Sequence, residues 1–567
     1  MGTFGGRLRA TAAVAGLLCC AAASAQQTPP GQTPPSSPPS ATPLPGRDRP
    51  LPEAAPPPEL DFSIQAPRRS PVPRAVEELT FEVKDVRIQG ATRYGPDILQ
   101  PYVKPLIGQT IHLADLVSVA EAIEARYHQD GYVLTRVFVP AQSVNDGNFQ
   151  ITVVEGYVAA VAVQGGDDST RQRIEKLLAP VTESRPLKLS VLESALLSAN
   201  KLPGVAAAGL LRPSATEQGA SELVVTVREI PVTGGLAADN MGAANTGRWT
   251  IAADATAASP LGDGGQISLN ASTNPRDPRQ RYSAGGRYVA PLPLLDGMTY
   301  TLSALDSHGE PGGTVSAANL VTNSTAFGAR VTLPLIVSRE DELSVDTGLT
   351  IQSSDVQAHQ ETATHDEWRV VDVALTYRNN VWADGVTSAT IDLAQGLSGL
   401  GATPDASQDR SGGTGFTKVT GQVTRLQPIS GPLTASLLIS AQYASIHPVL
   451  GEQVSYGGPL IGRGYDPGSI TGDMGVGGAF ELRYDLNPAW LYAEQAQLYG
   501  FLDGATVRNH GPAIDQDKIA STGAGIRVTI PGNVVVGLMY GKALIGVPGN
   551  DEEKRSSRVM VNTSIRF

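Results

Sequence analysis

Few residues in this chain stand where they could do covalent chemistry. His359 and His365, beside Asp366 and Glu367, are the densest group of potential metal ligands. They lie in a polar stretch read as a solvated loop, so no metal is assigned. No zinc-protease HExxH, Walker loop or G-x-S-x-G elbow occurs. No catalytic, cofactor-binding or metal residue is therefore expected, and the chain does not read as an enzyme. The charged residues that stand out belong to non-covalent chemistry. Arg463 sits between Gly462 and Gly464 and is followed by Tyr465. Glycines let a loop tip turn sharply with little bulk, and a guanidinium can pair directionally with a carboxylate. Asp503 is one such carboxylate. In an extended strand it shares a face with Gln495, Gln497 and Tyr499, while Ala496, Leu498 and Leu502 fall on the other.

The elements that must position these groups are strands. Everything after Ile230 reads as alternating strands, turns and long polar loops. Leu433, Ala435, Leu437, Ile439, Ala441 and Tyr443 alternate with a mostly polar set. The last strand alternates Val559, Val561, Thr563, Ile565 and Phe567 with Arg558, Met560, Asn562, Ser564 and Arg566. Strict period two fits a sheet with one apolar and one polar face. Loops such as 401–415 exceed what a soluble domain usually carries. A tilted bilayer-crossing strand takes about 9–11 residues, so the region from residue 232 holds sixteen strands at roughly 21 residues each with connections. Fourteen or eighteen divide it nearly as well. Phe567, a terminal aromatic at an apolar position, fits the membrane interface of a closed barrel.

Composition agrees with this architecture. Charged residues make up 17% and hydrophobic residues 41%, with 61 Gly among 567 residues, a bias towards turns and close-packed strands. A net charge of −12 leaves nothing to neutralise phosphates in bulk, so no nucleic-acid partner is expected. Residues 1–25 carry Arg7 and Arg9, an apolar stretch and Ala23-Ser24-Ala25, the pattern of a secretory signal peptide. Both cysteines, Cys19 and Cys20, lie inside it. Residues 26–75 form a proline-rich spacer expected to lack a core. Residues 79–156 then read β-α-α-β-β, with a short helix near 97–103 and Leu113, Leu116, Ala120, Ile123 and Tyr127 at helical spacing. A strand is expected around Val133, Val137 and Val139. Residues 157–230 repeat the order, with a short helix marked by Ile174, Leu177 and Leu178 and a longer one from Val191 to Ala199. Such an internal repeat points to an array with exposed sheet edges that accept an extended peptide.

Several stretches resemble the outer-membrane transporters of two-partner secretion (TpsB; the ShlB/FhaC/HecB family), within the BamA-like superfamily. The run from Gly131-Tyr132-Val133 to Pro140-Ala141-Gln142 is similar to the family's POTRA strand signature. Asp239-Asn240-Met241-Gly242 with Thr246-Gly247-Arg248 marks the start of the barrel. The most specific stretch is Gly462-Arg463-Gly464-Tyr465-Asp466-Pro467, followed by Gly472-Asp473-Met474-Gly475 and Glu481-Leu482-Arg483-Tyr484. Phe501-Leu502-Asp503-Gly504 resembles a further family motif. The resemblance implies a mainly β protein, a transmembrane antiparallel β-barrel at residues 232–567 preceded by two small α+β POTRA domains in the periplasm. It implies that the loop bearing Arg463, Gly464 and Tyr465 folds back into the lumen, where Arg463 reaches Asp503 as a latch. In a wet lumen that pair contributes about 1 kcal/mol, more if water is excluded.

The implied partners are a large secreted exoprotein of the TpsA type, β-helical once folded, and outer-membrane lipid around a monomeric barrel. The implied function is recognition of that exoprotein by the POTRA domains and its export unfolded to the cell surface. A BamA-like insertase usually carries more POTRA modules, and a passive porin or receptor has no need of them.

Overall fold

The computed structural model describes residues 61–64, 80–142, 146–214, 217–292, 294–295, 297–312, 320–359, 361–404, 411–488, 493–511, 516–546 and 557–567. The expected signal peptide lies outside these residues, as does most of the proline-rich spacer. Within that spacer the structure departs from expectation: Phe62–Ile64 forms a short strand, parallel to Val205–Pro213. Phe62 packs against a buried core, so this part of the spacer is tied down.

Two small α/β modules follow. In the first, Asp85–Gln89, Asn148–Val154 and Arg136–Phe138 make a three-stranded sheet, and Thr80–Glu82 pairs with Thr110–His112. Helices α1 (Pro96–Val103) and α2 (Leu113–Gln129) cover it. The apolar stripe of α2 is as spaced in the sequence: Leu116, Ala120, Ile123 and Tyr127 are buried. The expected strand through Val133 is shorter, because residues 131–135 turn first. The second module places Tyr157–Gln164, Val205–Pro213 and Ala220–Glu229 in one sheet under α3 (Asp168–Glu183) and α4 (Leu189–Asn200). Here the relative helix lengths reverse the expectation. Helix α3 is the longer, because Asp167 caps it by accepting the Thr170 amide at 2.6 Å and its buried stripe is sparse: Ile174, Leu178 and Val181.

Among the described residues, sixteen antiparallel strands then close into a barrel. They are β1 (Val232–Asp239), β2 (Thr250–Ala258), β3 (Gln266–Thr273), β4 (Arg281–Pro291), β5 (Thr299–Gly309), β6 (Val321–Val337), β7 (Asp341–Ala358) and β8 (Glu361–Asn379). The second half runs β9 (Val386–Leu397), β10 (Thr417–Ser430), β11 (Leu433–Ala444), β12 (Met474–Asp485), β13 (Gln495–Arg508), β14 (Gln516–Ile530), β15 (Val534–Ala543) and β16 (Ser557–Arg566). β16 pairs back onto β1, so no free edge remains in the ring.

The barrel is inverted relative to a soluble core. On β8, Val371, Val373, Leu375 and Tyr377 are exposed outward, while Val370, Asp372 and Ala374 are buried on the lumen side. On β13, Leu498 and Leu502 face out, and Tyr499, Phe501 and Asp503 face in. Apolar rows of this extent fit a hydrocarbon environment. Exposed aromatics mark both ends of the wall: Trp382, Tyr484 and Phe567 at the rim beside the modules, Tyr282, Tyr443 and Tyr540 at the distal rim. Among the described residues no helix is long and apolar enough to cross a membrane.

His365, Asp366 and Glu367 are a correction to the sequence reading. They lie within β8, because β7 and β8 run well beyond the length a bilayer needs and are polar on both faces there. Asp366 is buried and accepts the Ser411 amide at 3.0 Å. His365 bonds Asp355 across the hairpin.

Candidate functional site

The loop joining β11 to β12, residues 445–473, turns into the lumen instead of standing above the rim. A short ladder of Val454–Tyr456 with Ile470–Gly472 stiffens its stem. Its tip needs glycine twice over. Gly462 has φ +88°, a left-handed conformation, and a Cβ on Gly464 would lie 2.5 Å from the Ala543 amide nitrogen on β15. The tip therefore lies directly against the wall.

Five of the expected site residues meet there. Asp503 on β13 accepts the Gly462 amide at 3.0 Å and the Arg463 amide at 3.4 Å, and the Ser521 hydroxyl on β14 bonds it closely. Ser521 Oγ also accepts the Gly464 amide at 3.0 Å. The Arg463 guanidinium divides its bonding. Its Nη1 donates to Glu481 on β12 at 2.5 Å. Its Nε lies 3.2 Å from Asp503, close enough for an ion pair but not aligned as a hydrogen bond. Arg463 thus reaches Asp503, as the resemblance implies, yet its aligned bond goes to Glu481. Tyr465 is fully buried, its hydroxyl 2.5 Å from the Ile545 carbonyl.

Glu481 is the centre of a larger cluster. It also accepts Arg483 Nε at 2.9 Å and Arg527 Nη1 at 2.8 Å. The Arg463 guanidinium carbon stands 4.1 Å from the Phe501 ring centroid, and that of Arg527 stands 3.9 Å from Tyr499. Three guanidiniums thus converge on the Glu481 carboxylate, two of them also lying over aromatic faces. Sequence reasoning placed Glu481 among the motif positions but did not give it Arg463 as partner. Its spacing from Arg483, two residues along one strand face, was the available signal. Ser521 gave none.

The remaining motif positions sit elsewhere on the same loop and in the first module. Asp473, fully buried at the loop's return, accepts the His510 amide at 2.6 Å and pairs with His447 Nδ1 at 2.8 Å. That carboxylate holds the His447 imidazole above its ordinary pKa, against the effect of burial. Gly472 and Gly475 let the return lie on β13, where a Cβ would come 3.0 Å from Val507 and 2.9 Å from the Thr506 carbonyl. Glu452 makes a second anchor that no motif indicated. It is buried among Trp368 Nε1 at 2.9 Å, Gln352 Nε2 at 3.2 Å and the ammonium of Lys418. Gly131, φ +92°, accepts the Leu189 amide at 2.8 Å and so joins the two modules. Tyr132 packs with Tyr94 and Tyr127, and Pro140 lies half-buried beyond the Arg136–Phe138 strand.

Known proteins share this organisation. The family model for haemolysin secretion/activation protein ShlB/FhaC/HecB matches residues 219–528, and that for the ShlB-type POTRA domain matches residues 81–156. Hemolysin transporter protein HpmB of Proteus mirabilis is 30% identical over 244 residues, which is 42% of each chain. Heme/hemopexin transporter protein HuxB of Haemophilus influenzae is 22% identical over 536 residues, 90% of this chain and 92% of its own. The solved structure of CdiB from Escherichia coli has the same fold, with a TM-score of 0.66 over 88% of this chain and 93% of that one, at 20% identity.

Proposed function

The chain belongs to the haemolysin secretion/activation family ShlB/FhaC/HecB, and from that premise we propose that it is an outer-membrane pore exporting one large partner protein. The observation that carries the reading is a loop held inside the barrel by a compact, buried ion-pair cluster. Arg463, Gly464 and Tyr465 with Asp503 and Glu481 act as the latch of that loop. The exoprotein arrives unfolded in the periplasm and pairs with sheet edges of the two modules, both acting as POTRA domains, mainly through backbone hydrogen bonds. Displacement of the loop opens the lumen, and the chain passes outward in extended form. Folding at the surface into a β-helix makes the transfer irreversible. The barrel works as a monomer in outer-membrane lipid, and its chemistry is conformational, with no covalent step.

Two secretion assays test this. Deleting residues 79–230 abolishes export of the co-expressed exoprotein partner, and undiminished export would remove the module-binding step. Arg463→Ala lowers export while the barrel still folds, judged by heat-modifiable migration. Parental export from that variant would remove the latch.

A further inference from the structure

The seam where β1 meets β16 changes character along its length. Near the modules it is an ordinary ladder, from Gly234 and Phe567, which exchange bonds at 2.9 and 3.0 Å, through Asp239 opposite Asn562. Beyond Asp239 one last backbone bond remains, from the Asn240 amide to the Val561 carbonyl at 3.2 Å, and side chains then take over. Asn240 Oδ1 accepts the Val561 amide at 2.8 Å and its Nδ2 donates to the Val559 carbonyl at 3.1 Å. Arg558 on β16 crosses to the Gly242 carbonyl at 3.2 Å. The loop tip lies on this side-chain portion. Asp466 accepts the Ala244 amide at 2.8 Å and pairs with Arg248 Nη1 at 2.9 Å, both on the β1–β2 connection. The same carboxylate lies 2.9 Å from Arg558 Nη1 on β16, and the Tyr465 carbonyl also accepts from Arg558.

We propose that Asp466 is a clasp on the barrel seam, a positioning residue that joins the lumen loop to the first and last strands at once. This rests on the reading that the loop moves during export, and deepens it: withdrawal of the tip releases the distal seam in the same event. One carboxylate bridges two arginines from opposite sides of the seam, so its removal leaves two cations facing each other where the backbone ladder has already ended. It also gives a task to the Asp239-Asn240-Met241-Gly242 and Thr246-Gly247-Arg248 stretches, which the latch alone does not use.

The test is hydrogen exchange on the full-length chain in lipid nanodiscs, comparing the parent with Asp466→Asn. The expected result is at least fivefold faster exchange at seam amides 237–240 and 559–563, with the β8–β9 pair unchanged. Should Asp466→Asn lack a heat-modifiable folded form, Arg248→Ala replaces it, with at least a twofold rise expected at the same amides. Seam exchange at the parental rate, or a uniform rise through the whole barrel, overturns the clasp. The Arg463→Ala secretion assay reports on the latch independently, so a failed clasp with a confirmed latch is a distinct outcome from failure of both.

Discussion

At the scale of single residues, burial decides the weight of the proposed latch. The side chains of Arg463, Glu481 and Asp503 are 7%, 5% and 0% exposed. This is the water-excluded regime, where removing one partner of a buried pair costs about 3–5 kcal/mol because a charge is left behind. Arg463→Ala removes a cation from the neighbourhood of two carboxylates, whereas Glu481→Gln leaves three guanidiniums around a neutral amide. Both variants should free the loop, read as a raised resting conductance in planar bilayers. Arg463→Lys should not restore closure, because an ammonium cannot reach Glu481 and lie over Phe501 as the planar guanidinium does. A second residue-scale prediction concerns Glu155 in the first module. Burial alone raises a carboxyl pKa, but bonds from Thr92, Arg93 and Tyr127 outweigh it and hold Glu155 below the usual glutamate range. A depressed pKa gives stability that is present above the unfolded value and lost as pH falls through the folded one. Glu155→Gln should therefore melt lower at pH 7, and the difference from the parent should shrink on acidification below pH 4.5. An undiminished gap would assign the effect to packing.

At the scale of elements, the sequence was legible wherever a period is local. The α2 stripe and the face that Asp503 shares with Gln497 and Tyr499 follow from spacing alone, whereas its lumen position is what the family resemblance implies. Helix α3 was underestimated because only every third or fourth residue is apolar and Pro180 interrupts the last turn. Its N-terminal signal was present in Asp167, and Asp167→Ala should cost about 1 kcal/mol, as typical for a lost N-cap. Faster exchange of amides 168–171 in that variant would register the loss. The partnership of Arg463 with Glu481 was not legible. It depends on the β12–β13 register, which sets Ala479 opposite Asp503 and Glu481 opposite Phe501 and thus puts both carboxylates under one guanidinium. Register between strands is a property of the closed sheet, and no single strand carries it.

At the scale of the whole molecule, the barrel is defined by which face meets which solvent. Val373 is exposed on the outer face, mid-strand on β8, and Thr390 bonds Thr376 on the lumen face at 3.1 Å. Val373→Arg should cost about 2–4 kcal/mol if it lies near the bilayer midplane. Thr390→Ala, in a polar setting, should stay within about 1 kcal/mol. Comparing refolding midpoints of the two in lipid vesicles checks the orientation of the wall, and equal costs would contradict it. The second module is also fixed to the barrel. Ser194 on α4 donates to the Val337 carbonyl at 2.7 Å, and Lys201 pairs with Glu342 at 3.3 Å, so α4 rests on the β6–β7 turn.

The length of β7 and β8 gives the distal opening a lopsided outline. These strands hold 18 and 19 residues. A crossing strand needs about 9–11, and β6, with 17 residues, pairs along β7 up to Gln357, so the surplus raises a three-stranded parapet on the order of 20 Å above the hydrocarbon at about 3.3 Å per residue and the usual tilt. Under the proposed function, a polypeptide leaving the lumen meets that balustrade on one flank. In the proposed export, its first surface-folded turns would then grow under lateral shelter.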